Sequence, residues 1–185
     1  MTRVEYDPEK LMLVDYRLID KQQFEFFDTG NLIVTESFHV DLAKEISEDS
    51  GYKAFCMIPN AGSVILGFFS LSKSAEFELE EGYTFVRNYN YIKIDWFGIS
   101  KEYHHSGKLQ GYGKHLIYHA YKIIIDLHPE VEIICLEAKV DAIIAYEHYG
   151  FEVINNAVVS GGADMFVPVS VAQEYIKVYE QNELK

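Results

Sequence analysis

The chain has 185 residues, 49% hydrophobic and 15% aromatic, which suits one globular domain over residues 1–185 and is too apolar for a disordered chain. Its formal charge of -13 argues against a broad nucleic-acid footprint, which needs clustered Lys and Arg to displace counterions, although Lys101, Lys108, Lys114, Lys122 and Lys139 could form a local basic patch. No apolar run approaches membrane-spanning length and the charged first ten residues lack a signal core, so a soluble, cytoplasmic protein is expected, with Cys56 and Cys135 as reduced core thiols.

In chain order, residues 11–18 read as a strand and 31–48 as one or two short helices. Residues 52–58 and 63–71 are rich in aromatic and β-branched residues and flank Pro59-Asn60-Ala61-Gly62, the pattern of a hairpin. The acidic stretch 76–81 reads as a solvated edge or loop, and 91–100 as a strand. A glycine-rich turn then opens a helix that ends at His128-Pro129. Residues 131–138 predict a buried strand, Asp141 caps a further helix that Gly150 terminates, and 151–154 and 163–171 predict the last two strands. A strand-helix-strand unit in the middle implies a parallel pair inside a partly antiparallel sheet, hence a mixed α/β fold.

The turn is Lys108-Leu109-Gln110-Gly111-Tyr112-Gly113-Lys114. Amides at the start of a helix point outward at the positive end of its dipole, and glycines let a ligand approach them, so this is either an anion site or a plain tight loop. Leu109, Tyr112, Leu116, Ala120, Ile123 and Leu127 recur at helical spacing and predict its buried face. A Walker loop would need glycine at Lys108 and Ser or Thr at His115, and a dinucleotide fingerprint would need glycine at Leu116, so both are excluded.

Two motifs in order carry a family resemblance. Lys108-Leu109-Gln110-Gly111-Tyr112-Gly113 resembles the pyrophosphate motif Arg/Gln-x-x-Gly-x-Gly/Ala of the GNAT N-acetyltransferases, and Ala142-Ile143-Ile144-Ala145-Tyr146-Glu147-His148-Tyr149-Gly150-Phe151 resembles their Ala-x-x-x-Tyr-x-x-x-Gly-Phe pattern. A fainter similarity, at Phe27-Asp28-Thr29-Gly30-Asn31 with the helix after it and residues 64–71, is to the branch that includes the aminoacyl-tRNA-acetylating toxins of toxin-antitoxin pairs. The chain departs from the pattern in its longer 99–111 connection and in Lys139, where the family often has asparagine.

The resemblance implies a GNAT-like sheet flanked by helices, with a β-α-β acetyl-CoA-binding core over residues 91–154. Phe97, Gly98 and Ile99 would meet the pantetheine arm, Lys108, Leu109, Gln110, Gly111, Tyr112, Gly113 and Lys114 the pyrophosphate, and Lys139 and Ala142 the cofactor as well. Tyr146 would be the acid that protonates the departing thiolate, since a phenol of pKa about 10 matches it, although any one of 14 tyrosines is usually a packing residue. Asp95, Glu102 and Glu137 are candidate bases. His115 and His119, four apart, read as exposed, with no metal expected, while His104 and His105 would line the acceptor entrance or simply decorate a mobile loop. The leading expectation is acetyl transfer by direct attack of a primary amine of a small molecule or peptide. The alternatives are a toxin acting on aminoacyl-tRNA and a non-catalytic acyl-CoA sensor. Besides acetyl-CoA and the acceptor, a homodimer is allowed, with no membrane partner.

Overall fold

The computed structural model describes residues 11–20, 24–48, 52–59, 64–72, 77–81, 85–103, 111–154 and 161–183. Asn60, Ala61 and Gly62 of the expected hairpin turn, Ser63 of the strand expected after it, and His104, His105, Lys108, Leu109 and Gln110 lie outside the described residues.

β1 (Leu11–Asp15), β2 (Lys53–Pro59) and β3 (Gly67–Ser72) form an antiparallel meander, and β6 (Tyr91–Ile99) adds antiparallel to β3. β7 (Ile133–Lys139) adds parallel to β6, β9 (Gly162–Pro168) antiparallel to β7, and the two-residue β8 (Glu152–Val153) closes the edge. The seven-stranded order is therefore β1-β2-β3-β6-β7-β9-β8, with the single parallel pair where the crossover demands it. Asparagine at position 31 starts α1 (Leu32–Glu36), its side chain accepting from the Val34 amide at 3.3 Å. A π turn over Ser37–Asp41 leads into α2 (Leu42–Glu48). The crossover helix is α3 (Tyr112–Leu127), and the shorter α4 (Ile143–His148) stops at Gly150, whose φ of +93° suits glycine.

The sheet is covered on both faces. Leu116, Ile117, Ala120, Tyr121 and Ile124 of α3 bury against Ile92, Ile94, Ile134, Leu136, Met165 and Val167. On the opposite face Phe27, Phe38 and Leu42 pack on Cys56 and Phe68, an aromatic cluster in which Phe38 lies 4.4 Å from Phe27 and 4.8 Å from Phe68 between ring centroids.

Five expectations are corrected. Of the edge or loop expected at 76–81, the loop alternative is replaced: residues 77–81 form β4 (Phe77–Glu81), paired antiparallel with β5 (Phe85–Tyr89) in a separate two-stranded sheet. The first strand ends at Asp15, whose side chain accepts from the Arg17 amide and turns the chain into a 3-10 turn over Tyr16–Leu18. Asp141 lies inside a 3-10 turn, Val140–Ala142, and does not cap α4. Leu127 is exposed, because the buried stripe of α3 ends at Ile124. The last strand stops at Pro168, and Val169 begins a helix absent from the sequence reading, α5 (Val169–Glu183). Only Ala172 and Tyr179 of α5 are buried, so its apolar stripe is too thin for periodicity to reveal; hydroxyl and charged contacts to α3 hold it instead.

Candidate functional site

β6 and β7 pair only from Tyr91–Ile133 to Ile94–Leu136. Beyond that point β6 stays with β3 as far as Gly67–Ile99, while β7 stays with β9 as far as Lys139–Gly162. Gly162 makes the second attachment tight: a Cβ there would run into the Ala138 carbonyl oxygen. On the β6 side the register against β3 passes from Leu71–Ile94 to Ser70–Trp96, which leaves Asp95 as a bulge residue, and bulges bend a strand. The two neighbours are thus drawn apart. Among the described residues, Asp95 to Gly98 of β6 and Glu137 to Lys139 of β7 are not paired with each other across the gap. An extended ligand that carries amides can bond such edges as an added strand would.

The gap is a cavity of about 580 Å³, within the usual range for small-ligand sites. Gly111, Tyr112 and Gly113 form one end. Gly111, at φ 156° and ψ −17°, occupies a conformation open to glycine, and its carbonyl receives the His115 amide at 2.9 Å, the first hydrogen bond of α3. The N-terminal end of this 16-residue helix, where amides point along the axis and favour an anion, therefore stands at the cavity. At Gly113 the group that approaches is the Tyr149 hydroxyl, 2.8 Å from where a Cβ would stand.

Ala142, Ala145 and Tyr146 face Phe97 across the cavity, and the Phe97 and Tyr146 rings meet edge-on at 5.9 Å. Burial pushes the Tyr146 phenol above its ordinary pKa, so it stays protonated throughout the neutral range. The mouth is built by Thr29, Asn31, Val34 and Tyr103. Thr29 and Asn31 are held there by a turn in which the Asp28 carboxylate accepts from the Gly30 amide at 2.7 Å and pairs with Lys101 at 2.5 Å. The Lys101 ammonium is the main reason that Asp28 sits below the usual carboxylate range.

Of the residues singled out in the sequence, Phe97, Gly98, Ile99, Gly111, Tyr112, Gly113, Lys139, Ala142 and Tyr146 all line this cavity. Gly98 has a second reason to be glycine, since a Cβ there would fall 2.9 Å from Phe68, 2.9 Å from Thr29 and 3.0 Å from Val34. Lys114 is elsewhere: its ammonium pairs with Glu183 of α5 at 2.6 Å. Among the candidate bases Asp95 and Glu137 line the cavity, whereas Glu102 is exposed and does not. Tyr149, Tyr103, Asn31 and Val34 were missed, although Tyr149 and Asn31 stand inside the quoted motifs, because only the fold brings their side chains to the cavity.

The histidine pair is corrected most sharply. His115 is 1% exposed, its Nδ1 bonded to the Tyr179 hydroxyl and its Nε2 3.1 Å from His119 Nε2. The cover is α5, whose absence from the sequence reading made this face look solvated. Burial above all, then the neighbouring positive charges, drives the pKa of His115 down to about 3, and burial takes that of His119 down to about 4. Among the described residues no group of three His, Cys, Asp or Glu could hold a metal ion.

Comparison with solved structures decides the fold. KacT, in a tyrosine-to-phenylalanine mutant, superposes at TM-score 0.70 over 89% of this chain and 98% of its own, at 17% identity. AtaT complexed with acetyl-methionyl-tRNAfMet gives 0.68 over 89% and 98%, at 19% identity. The chain has a GNAT-like fold. A crystal structure of AtaTR bound with AcCoA shares that fold at TM-score 0.67, over 90% of this chain and 98% of that one, at 18% identity. No family model matches the sequence, and no curated protein matches it either. The GNAT-like fold is therefore legible here through the strand split and the glycine turn rather than through overall sequence similarity.

Proposed function

We propose that the protein is an acetyl-CoA-dependent N-acetyltransferase whose acceptor is the free α-amine of an aminoacyl-tRNA. The observation that carries the transfer reading is the parting of β6 from β7 above a glycine turn, with Tyr146 directed at Phe97 across it. The site fits acetyl-CoA: the strand edges that part beyond Ile94 and Leu136 suit the amides of pantetheine, and the Gly111 to Gly113 end suits a pyrophosphate. When bound, acetyl-CoA supplies the thioester. The chain's own part is to hold that carbonyl against the edge of β6, to exclude water with Phe97, Tyr146 and Tyr149, and to donate the Tyr146 proton to the departing sulfur. The acceptor assignment is supported by the likeness to AtaT, solved in complex with acetyl-methionyl-tRNAfMet.

A second reading, a small or peptidic amine, draws on electrostatics. The formal charge is -13, and Lys101, Lys114 and Lys122 are each paired with a carboxylate, so three members of the basic patch expected from sequence are neutralised.

One assay separates the readings: acetyl-CoA labelled in the acetyl group is offered with total aminoacyl-tRNA and with a panel of polyamines, amino acids and short peptides. The tRNA reading expects label in the precipitated tRNA fraction, released by base with the aminoacyl ester, at a rate that falls with added salt. Label on small amines alone sinks it in favour of the second reading. Tight acetyl-CoA binding with no transfer to either set leaves only a non-catalytic sensor.

A further inference from the structure

Amine acetylation needs a group that removes a proton from the attacking nitrogen, and three carboxylates were open to that role. Glu102 is exposed and away from the cavity, and Glu137 lines the cavity but is exposed. Asp95 differs in kind. It lines the cavity at the point where β6 and β7 separate, and it has no register partner in β3 or in β7. The bulge therefore frees both its backbone and its side-chain direction from the ladder.

The surroundings of the carboxylate are uneven. Lys93 of β6 faces it at 3.9 Å, Ser72 of β3 donates a hydrogen bond, and Glu45 of α2 adds a like charge. Tyr52, which donates to Ser70 at 2.8 Å, completes the neighbouring polar groups. Yet Asp95 Oδ2 is buried with no hydrogen-bond partner among the described residues, while the side chain as a whole keeps 21% of its surface exposed. A carboxylate oxygen that is desolvated, unsatisfied and still reachable is suited to receive a proton. Burial, outweighing the Ser72 and Lys93 contributions, raises its pKa.

We propose that Asp95 accepts the proton of the attacking amine through one bridging water. A single residue, Trp96, separates Asp95 from Phe97 on β6, and both line the cavity that Tyr146 closes, so a water beside the carboxylate can reach a nitrogen held there. The step balances. The amine nitrogen forms a bond to the thioester carbonyl carbon, the carbon–sulfur bond breaks, and the sulfur takes the Tyr146 proton. The nitrogen's proton passes to Asp95, and solvent exchange returns it to the Tyr146 phenolate, so that free amine and thioester become amide and thiol.

This inference rests on the transferase reading, and the experiment keeps the two apart. The pH dependence of kcat/KM is measured for the wild type, Asp95→Asn and Lys93→Met with the best acceptor found, alongside acetyl-CoA affinity and thermal melting. Asp95→Asn is expected to lose about a hundredfold in kcat/KM at pH 7 and to lose the limb of the profile that reports Asp95, with acetyl-CoA affinity within twofold. Lys93→Met removes a cation that favours the ionised carboxylate, so that limb moves to higher pH, an effect that a purely structural role would not produce. Should Asp95→Asn not fold, the Lys93→Met shift alone decides. An unshifted profile in Lys93→Met, or wild-type activity in a folded Asp95→Asn protein, overturns the inference and leaves the transferase reading intact. A wild type that acetylates no amine overturns both.

Discussion

Gly98→Ala isolates the packing that shapes the mouth of the cavity. Gly98 does not have a positive φ, so alanine can adopt its backbone conformation and the perturbation is steric alone. The new methyl would meet Phe68 Cε1 at 2.9 Å, Thr29 Cγ2 at 2.9 Å and Val34 Cγ1 at 3.0 Å. Phe68 is fully buried inside an aromatic cluster and cannot retreat, so Thr29 and Val34, and with them the start of α1, must give way. Overpacking of this kind costs about 1–3 kcal/mol. In a chain of this length, 1 kcal/mol lowers Tm by about 2–4 °C, so a fall of about 2–12 °C is expected. Because Thr29 and Val34 line the mouth and Phe97 and Ile99 are untouched, acceptor KM should rise while acetyl-CoA affinity changes less than twofold. Thermal melting, calorimetry with acetyl-CoA and acceptor kinetics read the three quantities. A variant as stable as the wild type would refute the packing argument, and one that loses acetyl-CoA binding while keeping acceptor KM would refute the link between the mouth and the acceptor.

Two further outcomes follow from the same structure. Tyr146→Phe keeps the ring packed against Phe97 and Phe151 and removes only the proton donor, so kcat should drop about a hundredfold or more with unchanged Tm; undiminished turnover removes Tyr146 as the acid. The buried histidines make stability acid-sensitive: with folded-state values of about 3 for His115 and about 4 for His119, both below the unfolded value, the unfolded chain binds more protons as pH falls below about 6.5. The stabilisation present above that pH is lost progressively toward pH 4, roughly 2–4 kcal/mol for the pair at pH 5, and His119→Gln should flatten the decline; a Tm that is level from pH 7.5 to 5 contradicts it.

Local signals carry far in this chain. The aromatic and β-branched runs of β2, β3 and β6, the glycines at 111, 113 and 150, and His128-Pro129 mark a helix-spanned parallel pair in a partly antiparallel sheet, because each reflects a backbone or burial preference confined to a few residues. The same locality explains what was missed. β4 and β5 hold each other in a sheet of their own, and α5 is attached by Tyr179 to His115, Tyr118 to Glu180 and Lys114 to Glu183, across more than sixty residues. A polar contact at that distance leaves no periodic trace.

The sequence by itself supplied the residue types from which a phosphate site and a proton donor are expected, Gly111, Gly113 and Tyr146. Tertiary structure alone decided that they share one cavity, that Lys114 is tied to α5, and that His115 is buried rather than exposed. It also decided which of three carboxylates lies unsatisfied beside the gap. The physical reason is that burial, desolvation and the parting of β6 from β7 are properties of neighbours, and those neighbours come from β3, β9, α1 and α5, remote in sequence and adjacent only in the folded chain.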